Sequence, residues 1–418
     1  MTNKFAQFLS SLLIQTYALP PPFTLLPNLL DRIRSSPSPT SNSTLNPVST
    51  DMVLRLLHEI SLSLGSDVTL RAVRSRERIA RDTAIRDEIR QSHAVNIAET
   101  VWKVIEEGLS KVEQLGTQNG STNGADQQGW SLAKAIAVTC EATTVVGDYV
   151  SWIDIGLVVT PQTVSLLYRL LQHSNPSLRT SAADALLGIV SKGMKGPDKM
   201  EILRALNLTS TVSELEKGTR RIKGQDELPD EEVTFREHLA KLANGVAMEL
   251  ARVLDDTTAS NEVRGIADEM LLTHMSLVLD LLTDEWDELA EAVLPCIGVT
   301  LSIFKKLKRT AKAAVSGTPT PPNQNAAYFT PEKAEFLGRL MSILLIKMKF
   351  DEETEWNGGG GNESDDEGDE DEEEIGKFLQ LRKVRTITLC PFCLLSIYAD
   401  ILFTSTAIAT KCRLHCCH

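Results

Sequence analysis

The sequence lacks the motifs that identify many enzymes and the patterns that identify β-rich folds. It has no Gly-x-x-x-x-Gly-Lys-Ser/Thr phosphate loop, no Gly-x-Ser-x-Gly nucleophile turn and no His-Glu-x-x-His zinc helix. Aromatic residues make up only 5% of the chain, and the alternation typical of half-buried strands is missing. Leu, Ala and Val are abundant instead. The sequence therefore predicts an all-α protein that binds a partner and is not an enzyme.

Cysteine and long apolar runs are also scarce. Only Cys140 and Cys296 of the seven cysteines precede residue 390, so the chain is expected to work in a reducing compartment without disulfides. No uninterrupted apolar run of about 18 residues occurs, and no membrane partner is predicted. The leucine-rich stretch Phe5–Leu19 has polar residues at helical spacing, which favours an amphipathic helix over a signal peptide.

The negative charge is concentrated in one segment. The formal net charge is −13, and Asp351–Glu374 alone holds fourteen acidic and no basic residues. The rest of the chain carries a formal charge of only +1, so acidity does not describe the folded part. So polar a segment cannot bury enough apolar surface to fold, and residues 351–375 are predicted to be a low-complexity acidic loop. We interpret it as a spacer, with imitation of a nucleic-acid backbone as the alternative.

Two consecutive amphipathic segments give the clearest indication of the fold. Pro161–His173 begins at a proline and carries leucines at helical spacing, and Leu178–Lys192 repeats the pattern after Asn175-Pro176 has broken the helix. A helix pair of this kind is typical of a HEAT-type repeat, which buries its apolar face only against neighbouring repeats. An ordinary helical hairpin in a bundle is the alternative. Three residues are predicted to hold neighbouring repeats in register: Trp152, Ala182 and Leu186.

The same helical periodicity continues along most of the chain. Further helices are predicted at 5–17, 23–34, 52–64, 73–90, 95–115, 131–149, 229–254, 262–282, 286–306 and 331–349. The predicted fold is a right-handed α-solenoid of HEAT-type repeats over residues 1–350, with flexible loops at 35–50, 116–128 and 316–325. Residues 376–389 are predicted to start a further helix, and residues 390–418 to form a Cys-rich tail.

Two basic clusters are candidate contacts for nucleic-acid phosphates. The first lies in residues 71–90, where four arginines would share one stripe of a helix and two continue on its neighbour: Arg71, Arg74, Arg78 and Arg81, then Arg86 and Arg90. Guanidinium groups match phosphate oxygens, although nearby Glu and Asp residues could instead pair with them on a solvated face. The second cluster ends the predicted helix 286–306 and could equally complement its dipole: Lys305, Lys306, Lys308 and Arg309.

The tail offers weak candidates for a zinc site. Cys390 and Cys393 are followed, after eighteen residues, by Cys412 and Cys416, a spacing that could place four thiolates around one ion. The intervening sequence is apolar and does not read as a zinc finger. We therefore predict no metal, and interpret the tail as the product of a splicing or reading-frame error.

Several blocks of the sequence resemble one protein family. They are Arg81–Arg90 (RDTAIRDEIR) with Trp102, Val146–Val159 (VGDYVSWIDIGLVV), Leu178–Leu203 (LRTSAADALLGIVSKGMKGPDKMEIL) and Lys347–Trp356 (KMKFDEETEW). These blocks resemble the exportin-T family, the tRNA exportins of the importin-β (karyopherin) superfamily, and they occur in family order between about residues 3 and 383. Residues 390–418 do not resemble the family.

The resemblance implies a HEAT-repeat export receptor that binds tRNA together with the GTP form of the small GTPase Ran. Such a receptor would pass through the nuclear pore, contact its proteins, and shuttle between nucleus and cytoplasm as a monomer. It would carry no cofactor of its own, since GTP would be bound only by Ran. Family members are considerably longer, so the resemblance also implies repeats before Met1 and after the matched region, and hence a truncated form. A generic α-solenoid adaptor and an inactive exportin fragment are the alternatives.

Overall fold

The computed structural model describes residues 2–17, 25–34, 45–65, 73–117, 129–220, 229–315 and 330–347. This part of the chain contains fourteen α-helices and one 3₁₀ turn, and no strand. The prediction of an all-α fold is therefore confirmed. No helix among these residues is both long enough and apolar enough to cross a membrane.

The helices follow one another with short connections wherever the structure describes them. In chain order they are α1 (Thr2–Thr16), α2 (Leu25–Arg34), α3 (Pro47–Leu64), α4 (Arg76–Ser92), α5 (Ala94–Thr117), α6 (Leu132–Val150), α7 (Pro161–Leu171), α8 (Pro176–Ser191), α9 (Gly196–Leu206), α10 (Leu208–Thr219), α11 (Asp230–Asp255), α12 (Asn261–Leu282), α13 (Asp287–Val315) and α14 (Pro331–Lys347). The 3₁₀ turn Ile155–Leu157 lies between α6 and α7.

The chain forms two compact units. The first contains residues 1–193 and 221–242, and the second contains residues 194–220 and 243–418. In the first unit, α2, α5 and α7 contact one another in sequence, as do α3, α6 and α8. The first helices of successive pairs thus stack on one another, and so do the second helices. This is the arrangement of HEAT-type repeats. The predicted HEAT-type fold is confirmed, and α4 lies against α3 and α5 beside this stack.

Capping residues fix the starts of α7 and α8, and two glycines allow α8 to approach α6. Thr160 caps α7 and Asn175 caps α8, and each helix has proline in its first turn, where the missing N–H costs no hydrogen bond. The backbones of α6 and α8 approach closely, because a Cβ atom on Gly188 would lie 3.0 Å from the carbonyl oxygen of Gly147. A larger side chain at Gly188 would push these two helices apart.

The second unit is centred on α12, which contacts α9, α10, α13 and α14. Its core includes Leu271, Met275 and Val278. Buried ionic groups reinforce these contacts: the ammonium of Lys333 on α14 lies 2.6 Å from a carboxylate oxygen of Asp268 on α12. The helices of this unit are therefore held by charge pairs as well as by apolar packing.

The largest differences between the helix boundaries and the sequence predictions are at three places. Helix α3 begins at Pro47 and is capped by Asn46, so the last residues of the predicted loop 35–50 are helical. Helices α9 and α10 were not predicted, although apolar residues recur in both at helical spacing, as at Met200 and Leu203 on α9 and at Leu208 and Val212 on α10. Helix α13 continues to Val315 through Pro295, nine residues beyond its predicted end. The predicted loop residues 118–128 and 316–325 lie outside the described residues, as do 351–418.

Candidate nucleic-acid interface

The arginine-rich segment forms helix α4, which begins one residue after its cap. Ser75 has an extended backbone, and its hydroxyl accepts a hydrogen bond from the amide of Arg78. Ile85 and Ile89 are buried at i, i+4 spacing, so one narrow face of α4 packs inward. The remaining surface of the helix is largely charged.

Asp82 is the centre of the cluster. Its side chain is only 7% exposed, and both of its oxygens face guanidinium groups. Oδ2 lies 3.3 Å from Nη1 of Arg74 and 3.7 Å from Nε of Arg78, while Oδ1 lies 3.3 Å from Nη2 of Arg81. Three arginines thus surround one buried carboxylate. We call these four residues the Asp82 cluster.

The three arginines of the cluster differ in exposure. The side chains of Arg78 and Arg81 are 56% and 44% exposed, whereas that of Arg74 is 11% exposed. Arg74 also donates a hydrogen bond of 2.8 Å to the carbonyl of Ser63 on α3. Arg78 and Arg81 are therefore available to a ligand, and Arg74 mainly links α4 to α3.

The predicted single stripe of arginines is wrong in one respect. Arg74 precedes the cap Ser75 and is not on the helix, because α4 begins at Arg76 rather than at residue 73. It joins Arg78 and Arg81 through Asp82 and not through helical spacing. Arg71 lies outside the described residues. Arg90 lies at the last turn of α4, 3.9 Å from Asp87, and Arg86 has no ion pair among the residues that the structure describes.

The second basic cluster is placed differently from its prediction. Lys305 and Lys306 lie in the body of α13, since that helix continues to Val315, so the C-terminal dipole does not explain them. The ammonium of Lys306 lies 2.7 Å from Asp255, and Lys305 also has a partner. The side chains of Lys308 and Arg309 lie outside the described residues. Nothing in the described geometry brings these residues together as a phosphate site.

The residues predicted to hold repeats in register all lie in the first unit and differ in burial. Ala182 and Leu186 on α8 are fully buried. Trp152 is half-buried after α6, and its ring lies 4.7 Å from that of Tyr149. The close contact between α6 and α8, where an added Cβ atom would crowd the neighbouring backbone, involves Gly147 and Gly188, which the prediction did not include.

Two histidines have carboxylate partners that the sequence analysis missed. Nδ1 of His58 on α3 lies 2.6 Å from Asp148 on α6, and Nδ1 of His238 lies 2.5 Å from Asp184. The hydrogen bond from the His58 ring to Asp148 raises the pKa of His58, and burial raises the pKa of nearby Glu141. These partners are 90 and 54 positions apart, so no local spacing could have revealed them.

The described residues offer no group of three or more His, Cys, Asp or Glu side chains that could hold a metal ion. The weak zinc candidates lie outside the described residues: Cys390, Cys393, Cys412 and Cys416. The prediction of no metal there stays a prediction. The ionic chemistry of the described site is thus that of exposed guanidinium groups, which suits phosphate oxygens.

Comparisons with known proteins identify the family. Residues 1–186 match the family model of exportin 1-like proteins, and residues 261–388 match that of exportin-T. The exportin-T of Mycosarcoma maydis is 47% identical over 391 residues, which cover 91% of this chain. The chain belongs to the exportin-T family.

Other exportin-T proteins extend the comparison. Those of Coprinopsis cinerea and Laccaria bicolor are 31% and 30% identical and cover 84% and 85% of this chain. The matched regions make up 34%, 31% and 31% of these three relatives, so the chain spans about a third of the length of the curated exportin-T proteins it matches. The resemblance predicted from the sequence blocks is confirmed, and the Asp82 cluster lies within the exportin 1-like match.

Proposed function

We propose that the chain acts in nuclear export of tRNA and contacts the tRNA backbone through the Asp82 cluster. The observation that carries this proposal is the pair of half-exposed arginines, Arg78 and Arg81, fixed on one buried carboxylate in a member of the exportin-T family. The cluster holds three guanidinium groups and one carboxylate, so it keeps an excess of positive charge at its surface.

Contact with phosphates is the mode of recognition that a transport receptor for many tRNAs requires. The deep, narrow major groove of A-form RNA hides the base edges, so proteins recognise such helices by shape and backbone contacts. Backbone contacts position the nucleic acid without reading its sequence. Rigidly held guanidinium groups on a helix therefore suit a ligand whose shape is shared and whose sequence varies.

Ran-GTP, the nuclear pore proteins and shuttling between nucleus and cytoplasm complete the proposal. Exportin-T relatives support an export role, and cooperative binding of tRNA and Ran-GTP would couple loading to the nucleus. Linkage requires that tRNA raise the affinity for Ran-GTP by the same factor by which Ran-GTP raises the affinity for tRNA. On this proposal the chain is a monomeric receptor without its own cofactor, and GTP enters only as the ligand of Ran.

The test is the salt dependence of tRNA binding by the full chain, with and without Ran-GTP. Each lost phosphate contact should lower the slope of log K against log salt by about one. We expect Arg78→Glu and Arg81→Glu to weaken binding about tenfold or more at physiological salt and to reduce the slope.

Arg169→Glu is the matched control, because Arg169 on α7 is similarly exposed but is paired with Glu113 at 2.7 Å. The control should bind tRNA nearly as the wild type does. Equal losses in all three variants would mean that only the overall charge matters, and tRNA binding that is insensitive to salt would exclude phosphate contact. A protein-binding adaptor would retain its partner in every variant.

A further inference from the structure

The role of Asp82 itself is not explained by attraction between arginines and RNA. A carboxylate repels phosphate, and this one is the most buried charged group of α4, within 4 Å of three guanidinium groups. An acidic residue at the centre of an anion site weakens the long-range field of the site. Its presence therefore has to be explained by what it does to its arginine neighbours.

The contacts of Asp82 leave much of each exposed guanidinium free. A guanidinium group has five N–H donors in a rigid, planar fork. Arg78 approaches Asp82 through Nε, and Arg81 donates a hydrogen bond to it through Nη2, so the other donors of each group remain for a ligand. Both side chains are half-exposed, and Arg78 and Arg81 are three positions apart on the same side of α4.

We propose that Asp82 is a positioning residue that holds Arg78 and Arg81 as a paired site for one phosphate group of the RNA backbone. This inference rests on the proposed function. Without the carboxylate, three neighbouring cations would repel one another, and the two long exposed side chains would have to be ordered when the RNA binds. Arg74 links Asp82 to α3, because it contacts the Asp82 carboxylate and donates a hydrogen bond to the carbonyl of Ser63.

Positioning and simple charge attraction predict opposite signs for one substitution. Asp82→Asn adds one positive charge to the surface and changes almost no volume. If only charge mattered, the variant would bind tRNA more tightly and with a steeper salt slope. If Asp82 positions the arginines, the variant binds more weakly although its salt slope is not reduced, because an amide group offers a donor where the arginines need an acceptor.

The experiment measures tRNA affinity against salt for wild type, Asp82→Asn and Asp87→Asn. Asp87 lies on the same helix and is 42% exposed, and its one ion pair among the described residues is with Arg90, at 3.9 Å, so its change alters charge without disturbing the cluster. We expect Asp82→Asn to lose about tenfold in affinity and Asp87→Asn to change by no more than about twofold. Equal affinities in the two variants, or a gain in Asp82→Asn, would overturn the inference and leave the proposed function standing.

A second pair of variants covers the case in which Asp82→Asn fails to fold, as shown by its melting curve. Arg78→Lys keeps the charge but loses the fork, and Arg169→Lys is its control at a similarly exposed position on α7. We expect a loss for Arg78→Lys alone, with an unchanged salt slope. Equal effects would overturn the inference, and a wild-type chain that does not bind tRNA would overturn the proposed function and this inference together.

Discussion

The Asp82 cluster of the first unit and two ion pairs of the second unit bury opposite members of the pair. In the Asp82 cluster the acid is buried and two of its arginines are exposed. In the two pairs of the second unit the bases are buried: Lys199 and Lys333 are 0% and 1% exposed, while their partners Glu249 and Asp268 are 13% and 18% exposed. The carboxylate is thus the buried member in the Asp82 cluster, and the ammonium is the buried member in the two lysine pairs. The contrast is between these sites and not between whole units, since Arg179 of the first unit is a buried base and Glu216 of the second unit is a buried acid.

The difference separates a site that can bind from pairs that hold a fold together. A buried acid surrounded by exposed bases leaves positive charge and free donors at the surface, where a phosphate can reach them. The charge of a buried lysine is already paired with its carboxylate partner. Burial lowers the pKa of Lys199, an effect that Glu249 opposes. Counting basic residues cannot distinguish these two cases, but their exposure does.

The largest effect is expected from removing a buried base of the second unit. Lys333→Ala leaves Asp268 without its ammonium partner at 2.6 Å and removes the cation that lies 5.6 Å from the centre of the Phe304 ring. Breaking a buried ion pair by removing one partner should lower the free energy of unfolding by about 4 kcal/mol. Urea unfolding measures the loss of global stability, and amide hydrogen exchange in α12 and α14 measures the local loss.

Lys306→Ala is the control for this comparison. Lys306 is also paired with a carboxylate, Asp255 at 2.7 Å, but its side chain is 59% exposed. Exposed pairs contribute little, so the free energy of unfolding should change by no more than about 0.5 kcal/mol. Similar losses for Lys333→Ala and Lys306→Ala would show that burial does not divide the pairs as we describe.

The second effect concerns pH, which should act through two histidines, one in each unit, with opposite sign. His274 in the second unit is buried, its Nε2 lies 2.8 Å from the carbonyl of Ala243, and burial lowers its pKa to about 4. Between pH 6.5 and 4 the unfolded chain binds a proton that the folded unit excludes. The contribution of His274 is therefore present above pH 6.5 and is lost as the pH falls to 4, about 3 kcal/mol in all.

His58 in the first unit should respond in the other direction. Its pKa is raised by the hydrogen bond to Asp148, burial opposes this shift, and the charges of Glu141 and Glu59 add to it. Its contribution is present below the unfolded pKa of His and is lost as the pH rises through the raised folded value. Amide exchange of α3 and α12 between pH 4.5 and 7.5 measures both; His274→Gln and His58→Gln should each remove one response. Parallel responses would contradict the assignment.

Much of the fold followed from local patterns in the sequence. Apolar residues at helical spacing, together with capping residues such as Asn175 before Pro176, located most helices to within a few residues. Helices α9 and α10 were missed although apolar residues recur in them at helical spacing, and both contact α12. Pro295 did not end α13 as a proline inside a helix often does, since the packing of that helix overrides the local preference.

The candidate site was only partly predictable. Helical spacing brought Arg78 and Arg81 together correctly, because both lie on α4. It could not reveal that Arg74 joins them through a buried acid, because a non-helical bend places Arg74 there. It also could not show that Lys306 has a partner 51 positions away. Pairings between distant parts of the chain are set by tertiary packing and leave no local signal.

The test with the smallest expected effect compares a buried and an exposed arginine within the Asp82 cluster itself. Arg74→Ala removes the buried arginine, which should lower the free energy of unfolding by about 2 kcal/mol because Asp82 and the carbonyl of Ser63 lose a donor. Arg78→Ala removes an exposed arginine, so stability should change by no more than about 0.5 kcal/mol. tRNA affinity should fall for Arg78→Ala, measured beside thermal unfolding. If Arg74→Ala left stability unchanged, Arg74 would not resemble the buried bases of the second unit, and the division between structural and binding charges would fail at its nearest point.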